Sequence, residues 1–413
     1  MAPGNAGTAT MATNLPLSET DEIVEWVKKR ANDSADTIDL VVVGPDDHLA
    51  EGLVDRLTEL GIPTFGPTKA AAQIEWSKAF AKQFMKEEGI PTAAYEIFIN
   101  IEKAKEHIAQ IPRDKFPIVI KASGLALGKG VIIPRNPEEA VCALDDLMGS
   151  KVFGNAGDEV VIEEFMQGRE ISVHAFCDGE TAIMLPAAQD HKRIFENDMG
   201  PNTGGMGTIA PVPWVTDSMM HEIREKIVMP TIAAMKRRGM PFKGILFPGI
   251  IFTESGPKVV EFNARFGDPE TQTFMRLMES DLVEILLACI DGTLNEKRIR
   301  FYTQSACCIV CASGGYPGSY EKGKIISGLE LPQPNEMEKG SRANLADIVI
   351  FHAGTSRNDS GDIVTNGGRV LGVTAYGDDL QGALNKAYAA VEKISFEGMQ
   401  FRKDIGKKSL LFE

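Results

Sequence analysis

Three residues at alternate positions, Glu261, Asn263 and Arg265, are the strongest candidates for chemistry in this sequence. Alternate side chains of a β-strand point to one face, so a carboxylate, an amide and a guanidinium would share one side. Glu and Asn oxygens suit a hard cation such as Mg²⁺, and an adjacent arginine suits a phosphate or a carboxylate. Burying these groups without a ligand is costly, so the pattern indicates a ligand site. An exposed strand face with an ion pair is the alternative.

The strand that would carry these residues, 258–265, follows an apolar run at 245–252 and a turn signal at 254–257. The two runs are therefore predicted to pair as a β-hairpin.

A second candidate lies where the predicted strand 118–121 ends in Lys121 and enters a glycine-containing loop, 122–130. The loop is not a Walker loop, because Gly130 stands where Ser or Thr would follow the lysine and a strand comes next. It is predicted to fold over phosphates as a flap, with Lys121 beside it.

Charged residues also occur at regular spacing in two neighbouring segments. Lys78 and Lys82 lie four residues apart in a predicted helical region, 68–89, and form either a phosphate-binding pair or a solvated face. Strand 160–165 leads to Glu170. Backbone groups at such a strand end can pair with an adenine edge, and a nearby Glu can accept a ribose hydroxyl. An ordinary strand with exposed acids is the alternative.

Two segments near the middle of the chain are polar or glycine-rich, at 189–193 and 200–207. The second contains too many glycines for regular structure and is predicted to be a shaped loop near a polar ligand. His191 is predicted to be a hydrogen bonder that positions the chain rather than a catalyst.

The two ends of the chain differ in pattern. Residues 1–70 alternate strand and helix signals, with a strand at 38–43 and a helix at 49–60, as in half of a doubly wound α/β domain. From about 299, short strands at 305–312, 346–353 and 368–375 precede a helix near 380–394, which predicts a smaller α+β domain. The charged segment 402–406 either reaches the active site or caps the fold.

Length and composition bound the function. A chain of 413 residues is long enough for about two to three domains. The net charge of -15 argues against a general nucleic-acid or anionic-membrane surface. No apolar stretch approaches the length of a membrane span, and the N-terminus shows no basic and apolar signal. The six cysteines sit mostly in apolar surroundings, as in reduced cytosolic proteins, so a cytoplasmic location is expected.

Taken in order, these segments resemble the phosphoribosylamine–glycine ligase family of ATP-grasp enzymes over essentially the whole chain. The segments that carry the resemblance are 4–8, 66–68, 77–82, 121–130, 189–193, 200–207, 261–270 and 402–406. The resemblance implies an α/β and α+β multidomain protein. Its predicted parts are a truncated doubly wound domain for ribose phosphate (1–70), an ATP-grasp domain (71–298, with a flap subdomain at about 95–166) and a small α+β domain (299–413).

The resemblance also implies a reaction. ATP, glycine and 5-phosphoribosylamine would give glycinamide ribonucleotide, ADP and phosphate through glycyl phosphate, a step of de novo purine biosynthesis. No protein nucleophile is needed, so catalysis would consist of positioning and charge neutralisation. Mg²⁺ or Mn²⁺ is the expected metal, no nucleic acid or membrane is an expected partner, and the chain is expected to be a monomer or a weak homodimer.

The resemblance further implies roles for individual residues. Glu261 and Asn263 would hold the metal, Arg265 would neutralise charge at the phosphoryl or acyl phosphate centre, and Asp190 would contact a substrate amine. ATP would be bound by Lys78, Lys82, Lys121, Gly128, Lys129, Gly130, Glu163, Glu164, Phe165, Met166, Glu170, Lys192, Arg193 and Asn202. The other substrates would be bound by Asn5, Gly7, Thr8, Thr203, Gly204, Gly205 and Asp268.

Two departures from the family pattern fall on the phosphoribosylamine side. The family opens with a strand and a glycine-rich loop about thirty residues before Pro3, and here that piece is absent; residues 44–48 also differ from the usual Gly-Pro-Glu-Ala-Pro. The loop that contains Asn5, Gly7 and Thr8 either presents backbone amides to a phosphate or is only a turn. The alternatives to the ligase are a truncated non-catalytic ATP-binding homologue and an ATP-grasp ligase for another carboxylate.

Overall fold

The computed structural model describes residues 1–31, 37–125, 130–152, 154–330 and 347–412. The first elements form a small α/β unit in which β1 and β2 pair in parallel. These elements are α1 (Thr20–Ala31), β1 (Val41–Val42), α2 (Asp46–Glu51), α3 (Leu53–Glu59), β2 (Thr64–Phe65) and α4 (Lys69–Trp76).

Two predictions for this unit were wrong in detail. The strand expected at 38–43 is limited to β1, because β2 supplies only two partner residues. The helix expected at 49–60 is divided into α2 and α3 at Gly52, whose φ of 83° lies in the left-handed region that ends α-helices.

The next region contains a four-stranded sheet with the order β3-β6-β4-β5, antiparallel throughout. Helices α6 and α7 pack on it around a core of their own that includes Ile108, Ile120 and Leu144. Its elements, with the helix that precedes it, are α5 (Lys78–Glu87), β3 (Tyr95–Phe98), α6 (Ile101–Gln110), β4 (Ile118–Ala122), β5 (Val131–Ile132), α7 (Pro137–Leu144) and β6 (Val160–Glu164).

The central region is organised by the long hairpin of β14 and β15, which confirms the hairpin predicted at 245–265. Strand β14 pairs with β15, β7 and β8, and β9 extends the sheet beyond β8. The elements are β7 (Arg169–Ser172), β8 (Ala175–Asp178), β9 (Ala182–Met184), β10 (Gln189–Asp190), β11 (Arg193–Phe195), β12 (Met199–Asn202), β13 (Gly207–Ala210), α8 (Asp217–Ile223), α9 (Met229–Arg237), β14 (Lys243–Thr253), β15 (Gly256–Asn263), α10 (Glu270–Leu277) and α11 (Leu282–Asp291).

The glycine-rich segment 200–207 is more regular than predicted. Its first residues belong to β12, which pairs antiparallel with β11. The prediction failed because Gly200 is needed for the hairpin rather than disruptive to it: its φ is 81°, and a side chain there would collide with Phe195 and Ile194.

The last region adds a five-stranded sheet with the order β10-β13-β16-β20-β17, packed against α12. The strands predicted at 305–312 and 368–375 and the helix near 380 are confirmed, and the strand expected at 346–353 is confirmed in its described part. The elements are β16 (Ser305–Ala312), β17 (Ile348–His352), β18 (Thr355–Arg357), β19 (Ile363–Thr365), β20 (Arg369–Gly377) and α12 (Leu380–Val391).

This sheet joins segments from both sides of residue 298, since β10 and β13 belong to the central region. The C-terminal region therefore contacts the strands next to the polar 189–207 segment directly. The predicted buried strand at 305–312 also accounts for Cys307, Cys308 and Cys311, which are free thiols in its core. Within the described ranges, the structure contains no helix with the length and apolarity needed to cross a membrane.

Candidate functional site

An open pocket lies on the face shared by β7, β14 and β15. Pairing of the three strands sets Ser172, Gly249 and Glu261 side by side, because Gly249 opposes Ser172 on one side and Glu261 on the other. Gly249 has no side chain to fill the space between its neighbours. The lining consists of Glu170, Ile171, Ser172, Asp190, Lys192, Phe247, Gly249, Glu261 and Asn263.

Lys192 reaches into this pocket from the chain between β10 and β11. Its Nζ lies 3.7 Å from Oε1 of Glu261 and 3.8 Å from Oε2 of Glu170. Burial raises the pKa of Glu261, but the positive charges of Lys192, Lys121 and Lys78 outweigh that effect and lower it to about 2. Glu261 is therefore ionised at neutral pH. Burial alone would lower the pKa of Lys192, but Glu170, Glu261 and other carboxylates raise it above its usual value.

The strand β15 ends at Asn263, and the chain then turns so that Arg265 folds back beside it. Arg265 Nη2 donates to Asn263 Oδ1 at 3.3 Å, and Arg265 Nε lies 3.2 Å from Oε1 of Glu75. The other oxygen of Glu75 accepts the amide of Ala264 at 2.8 Å. Burial raises the pKa of Glu75 to about 7, against the lowering effect of Arg265. Glu261, Asn263 and Arg265 thus lie together, and Glu75 is a buried partner that the sequence did not indicate.

A second cluster, which we call the basic cluster, consists of Lys82, Lys121 and Glu163. The Glu163 carboxylate lies 3.0 Å from Lys82 Nζ and 3.2 Å from Lys121 Nζ. Lys121 also donates to the carbonyl of Val260 at 3.0 Å, which joins the four-stranded sheet to β15, and Lys82 donates to Thr92. All three cluster residues are at least 96% buried, so Lys82 is not part of a solvated face, whereas Lys78 is partly buried. Burial lowers the pKa of Lys82 to about 8 although Glu163 opposes this.

Other residues predicted for ATP lie on the chain after Glu163, before β5 and at the start of α5. The side chain of Glu163 points to the two lysines, so an adenine contact is left to the chain that follows it. There Glu164 is exposed and accepts the amide of Ala94, and Phe165 is 39% exposed. Met166 is partly buried, Gly130 accepts the amide of Ala122, and Lys78 begins α5. The predicted residues Gly128 and Lys129 lie outside the described residues.

The hairpin of β11 and β12 carries Arg193 and Asn202, which oppose each other in the pairing. Arg193 Nη1 donates to the carbonyl of Gly200 at 2.7 Å. Arg402, only 1% exposed, donates to the Arg193 carbonyl at 3.1 Å and to Asp198 at 2.9 Å.

A fork of two 2.8 Å bonds joins Arg402 to Asp404, which also accepts the amide of Asn197 at 2.8 Å. His191 Nδ1 donates to the carbonyl of Gly207 at 3.0 Å, and its Nε2 accepts the amide of Gly406 at 3.1 Å. The predicted segment 402–406 therefore braces the hairpin, and His191 has the positioning contacts that were expected of it.

The N-terminal loop uses its own polar groups internally. Asn5 Oδ1 accepts the amides of Gly7 and Thr8, each at 2.9 Å, and Thr8 Oγ1 accepts the amide of Asn5 at 2.7 Å. Asn5 Nδ2 donates to the carbonyl of His352. Of the two alternatives for this loop, the internal hydrogen bonds favour a turn, because the amides of Asn5, Gly7 and Thr8 already have partners.

The remaining substrate residues lie beside Asp190 and the start of α10. Thr203 Oγ1 donates to the Lys192 carbonyl, Gly204 N donates to Tyr316, and Gly205 N donates to Thr203. Asp268 pairs with Arg369 at 2.9 Å.

The residues present fit a magnesium ion. Within the described ranges, no group of three or more His, Cys, Asp or Glu residues is arranged to hold a metal. Glu261 and Asn263 nevertheless offer a carboxylate and an amide oxygen on one face. One or two protein oxygens completed by phosphates and water are the usual environment of Mg²⁺ at nucleotide sites.

Three family models match: phosphoribosylglycinamide synthetase N domain at residues 1–75, ATP-grasp (A) domain at residues 76–271 and C domain at residues 306–408. The phosphoribosylamine–glycine ligase of Chlorobaculum tepidum is 46% identical over 415 residues, covering 99% of this chain and 93% of the relative. That of Rhodopirellula baltica is 44% identical over 417 residues, covering 100% of this chain and 92% of the relative.

A crystal structure of the phosphoribosylamine–glycine ligase from Thermotoga maritima superimposes with a TM-score of 0.82. It is 35% identical, and the match covers 98% of this chain and 93% of that one. The three matched segments together account for most of the sequence and place the pocket within the ATP-grasp match.

Proposed function

The chain belongs to the phosphoribosylglycinamide synthetase family, and from that premise we propose that the pocket between β7, β14 and β15 is its active site. The enzyme is a phosphoribosylamine–glycine ligase, an ATP-grasp enzyme of purine biosynthesis that joins glycine to 5-phosphoribosylamine with ATP as the energy source. The observation that supports this location most strongly is that Glu170, Asp190, Lys192, Glu261 and Asn263, from three separate segments, converge on one pocket.

The nucleotide is proposed to lie between the four-stranded sheet and β15, where Lys121 already bridges the two by its bond to Val260. The two lysines of the basic cluster provide one positive charge more than Glu163 neutralises, which favours the phosphates. Glu170 would accept the ribose hydroxyls, and the chain at Glu164–Met166 would meet the adenine edge. Lys192, Arg193 and Asn202 would border the nucleotide from the hairpin side.

Glu261 and Asn263 would hold Mg²⁺ or Mn²⁺, which supplies charge neutralisation for the transferred phosphoryl group when it is bound. Arg265 is held beside Asn263 by Glu75, so its guanidinium is positioned before substrate arrives. Because the chemistry needs no protein nucleophile, most of the rate enhancement would come from charged groups that are already oriented when the substrates bind.

The bonds change in two steps. A carboxylate oxygen of glycine attacks the γ-phosphorus of ATP, the bond to the bridging oxygen breaks, and glycyl phosphate and ADP form. The nitrogen of phosphoribosylamine then attacks the glycyl carbonyl carbon. The bond from that carbon to the phosphate oxygen breaks, phosphate leaves, and the nitrogen loses one proton. The contribution of the protein is to align the three substrates and to exclude water from glycyl phosphate.

Thr203, Gly204, Gly205 and Asp268 are proposed to border the phosphoribosylamine side, next to Asp190. A contribution from Asn5, Gly7 and Thr8 would have to come through contacts other than their amides. A cytoplasmic location is also proposed, since all six cysteines are free thiols and five of them are buried, as in proteins of reducing compartments.

The function is tested with purified protein, ATP, Mg²⁺, glycine and phosphoribosylamine generated in the reaction mixture. Glycinamide ribonucleotide, identified by mass, should form in a one-to-one ratio with ADP. ADP release without this product, or binding of ATP with no turnover, would contradict the proposal.

A further inference from the structure

Arg169, the first residue of β7, makes a contact that the proposed mechanism does not use. Its guanidinium carbon lies 4.0 Å from the centroid of the Trp214 ring. Trp214 in turn meets the ring of Phe252 edge-on, with the centroids 5.8 Å apart and the ring planes at 81°. Arg169 and Phe252 oppose each other across β7 and β14, so their side chains share one face of the sheet. We call Arg169, Trp214 and Phe252 the arginine–tryptophan stack.

The arginine–tryptophan stack lies directly behind a residue of the proposed nucleotide site. Successive side chains of a strand point to opposite faces, so Glu170 faces the pocket while Arg169 faces away from it. The Glu170 side chain is 54% exposed, and its carboxylate lies 3.8 Å from Lys192, which is long for an ion pair. The position of this carboxylate therefore depends on how the start of β7 itself is held.

The start of β7 also ends the segment that is proposed to meet the adenine. Residues 165–168 belong to no helix or strand and connect β6 of the four-stranded sheet to β7 of the central sheet. At the β6 end, Glu164 and Ala94 exchange two hydrogen bonds of 3.0 Å. At the β7 end, the chain passes so close to β14 that a Cβ on Gly168 would lie 2.1 Å from the carbonyl oxygen of Phe252. The segment is thus fixed by Ala94 at one end and by the arginine–tryptophan stack at the other.

The two main members of the stack differ in how firmly they are held. Trp214 is 9% exposed and belongs to the same hydrophobic core as Val212 and Ile223. Arg169 is exposed. A guanidinium over the face of a tryptophan is a favourable cation–aromatic contact, and its planar shape suits stacking better than the ammonium of lysine does. The contact therefore ties an exposed strand start to the core.

We propose that Arg169 and Trp214 are positioning residues for the adenosine part of ATP, because their stack holds the 165–168 segment and Glu170 where the base and the ribose would lie. This inference rests on the proposed function, from which it takes the place of the nucleotide. It adds two residues on the far side of the sheet from the pocket. The lysines proposed for the phosphates belong to the basic cluster, so loss of the stack should leave them in place.

The test measures ADP affinity by calorimetry together with thermal unfolding, so that it does not depend on ligation, and the KM values for ATP and glycine are compared as well. Arg169→Met keeps a long side chain without the charge, and its exposed position should allow the variant to fold. Trp214→Leu removes the ring, whereas Trp214→Phe keeps an aromatic face for the guanidinium. Arg30→Met is the matched control, because Arg30 lies over Trp26 at 4.3 Å in α1 and neither residue lines the pocket.

Arg169→Met and Trp214→Leu should each weaken ADP binding and raise the KM for ATP about threefold to tenfold, with the KM for glycine within about twofold of the wild type. The double variant should be no weaker than the weaker single variant, because both changes remove one contact. Trp214→Phe should bind ADP within about twofold of the wild type, and Arg30→Met should bind it as the wild type does.

A lower melting temperature of Arg169→Met with unchanged ADP affinity would mean that the stack only stabilises the fold, and would overturn the inference. Additive losses in the double variant, or an equal rise in the KM for glycine, would also overturn it. Absence of ligation in the wild type would contradict the proposed function, whereas the ADP titrations would still decide the role of the stack.

Discussion

Two charge clusters border the proposed active site, the first buried and the second partly exposed, and their excess charges have opposite signs. The basic cluster, Lys82, Lys121 and Glu163, has two cations for one carboxylate, joined at 3.0 and 3.2 Å. The other, which we call the acidic cluster, has one cation for four carboxylates. It consists of Lys192, Glu170, Asp190, Glu261 and Glu270, and its two ion pairs are longer, at 3.7 and 3.8 Å.

The difference shows that charges left unbalanced within a site can indicate which ligands bind there. Buried charges normally require partners, so an excess of one sign marks the place where a ligand of the other sign belongs. The basic cluster suits the phosphates of ATP, and the acidic cluster suits a metal ion. The first is a tight arrangement that also supports the fold, whereas the second is looser and faces the pocket.

The largest expected effect comes from the acidic cluster. Glu261→Gln should lower ligation by about a hundredfold to a thousandfold, because a metal-binding carboxylate acts directly on the transferred phosphoryl group. Stability should be nearly unchanged, since glutamine has the same shape and the side chain is 32% exposed. Steady-state rates and thermal unfolding measure the two effects. Glu254→Gln, in the exposed turn of the same hairpin, is the control, and near-normal turnover in Glu261→Gln would contradict the assignment.

Exchange of glutamate for glutamine in the basic cluster should mainly lower the free energy of unfolding. Glu163→Gln leaves two buried lysines without their carboxylate, and breaking a buried pair in this way costs about 3–5 kcal/mol. Denaturant unfolding followed by fluorescence is a suitable measurement, with Glu164→Gln as a neighbouring control for stability only. If Glu163→Gln were as stable as Glu261→Gln, the two clusters would not differ as described.

The basic cluster also predicts a pH dependence. The pKa of Lys82 is lowered to about 8, so the side chain is charged below that pH and loses its proton as the pH rises through it. A bound triphosphate favours the charged form, so nucleotide affinity should fall by about tenfold between pH 7 and pH 9.

In Lys82→Met the affinity should be weaker at pH 7 and nearly independent of pH over this interval. Titration of the nucleotide into both proteins at several pH values gives the comparison. Lys86→Met on the exposed face of the same helix should keep the wild-type profile, and a Lys82→Met profile that still falls steeply would exclude Lys82 as its source.

The smallest expected effect concerns the brace behind the acidic cluster. Arg402→Lys removes the fork to Asp404 and cannot replace its planar geometry, so the hairpin that bears Arg193 should loosen. We expect a rise of about threefold to tenfold in the KM for ATP with a smaller change in kcat, as for a misplaced binding group. Lys403→Gln, with an exposed side chain, is the control. An equal loss of kcat with KM unchanged would mean that the segment acts in the chemical step.

Much of the fold was predictable from local pattern. The hairpin of β14 and β15 and the buried strand β16 were predicted because their apolar residues and turn signals lie close together in the sequence. The break at Gly52 and the strand at 199–202 were missed, since a glycine can end a helix or permit a hairpin, and the sequence alone does not decide between these uses.

The site was only partly predictable for the same reason. Glu261, Asn263 and Arg265 were found from their alternation along one strand. Glu75 and Glu270 were missed because their partners are distant: Glu75 bonds to Ala264 and Glu270 to Ser172. The available signal was an acid among the buried residues of an amphipathic helix, as Glu75 follows Ala71 and Ala72 in α4. Lys78 and Lys82 had an ambiguous pattern, because helical spacing alone does not show that Lys82 is buried against Glu163.

The central claim is that the basic and acidic clusters carry excess charges of opposite sign. Its most direct test is a calorimetric titration of ADP with and without Mg²⁺, in the wild type and in Glu261→Gln. In the wild type Mg²⁺ should tighten ADP binding by about tenfold or more, because the acidic cluster binds the ion together with the phosphates. In Glu261→Gln the gain from Mg²⁺ should disappear, while affinity for metal-free ADP should be unchanged or higher, since a repelling carboxylate is gone and the basic cluster is intact. An equal gain from Mg²⁺ in both proteins would contradict the account.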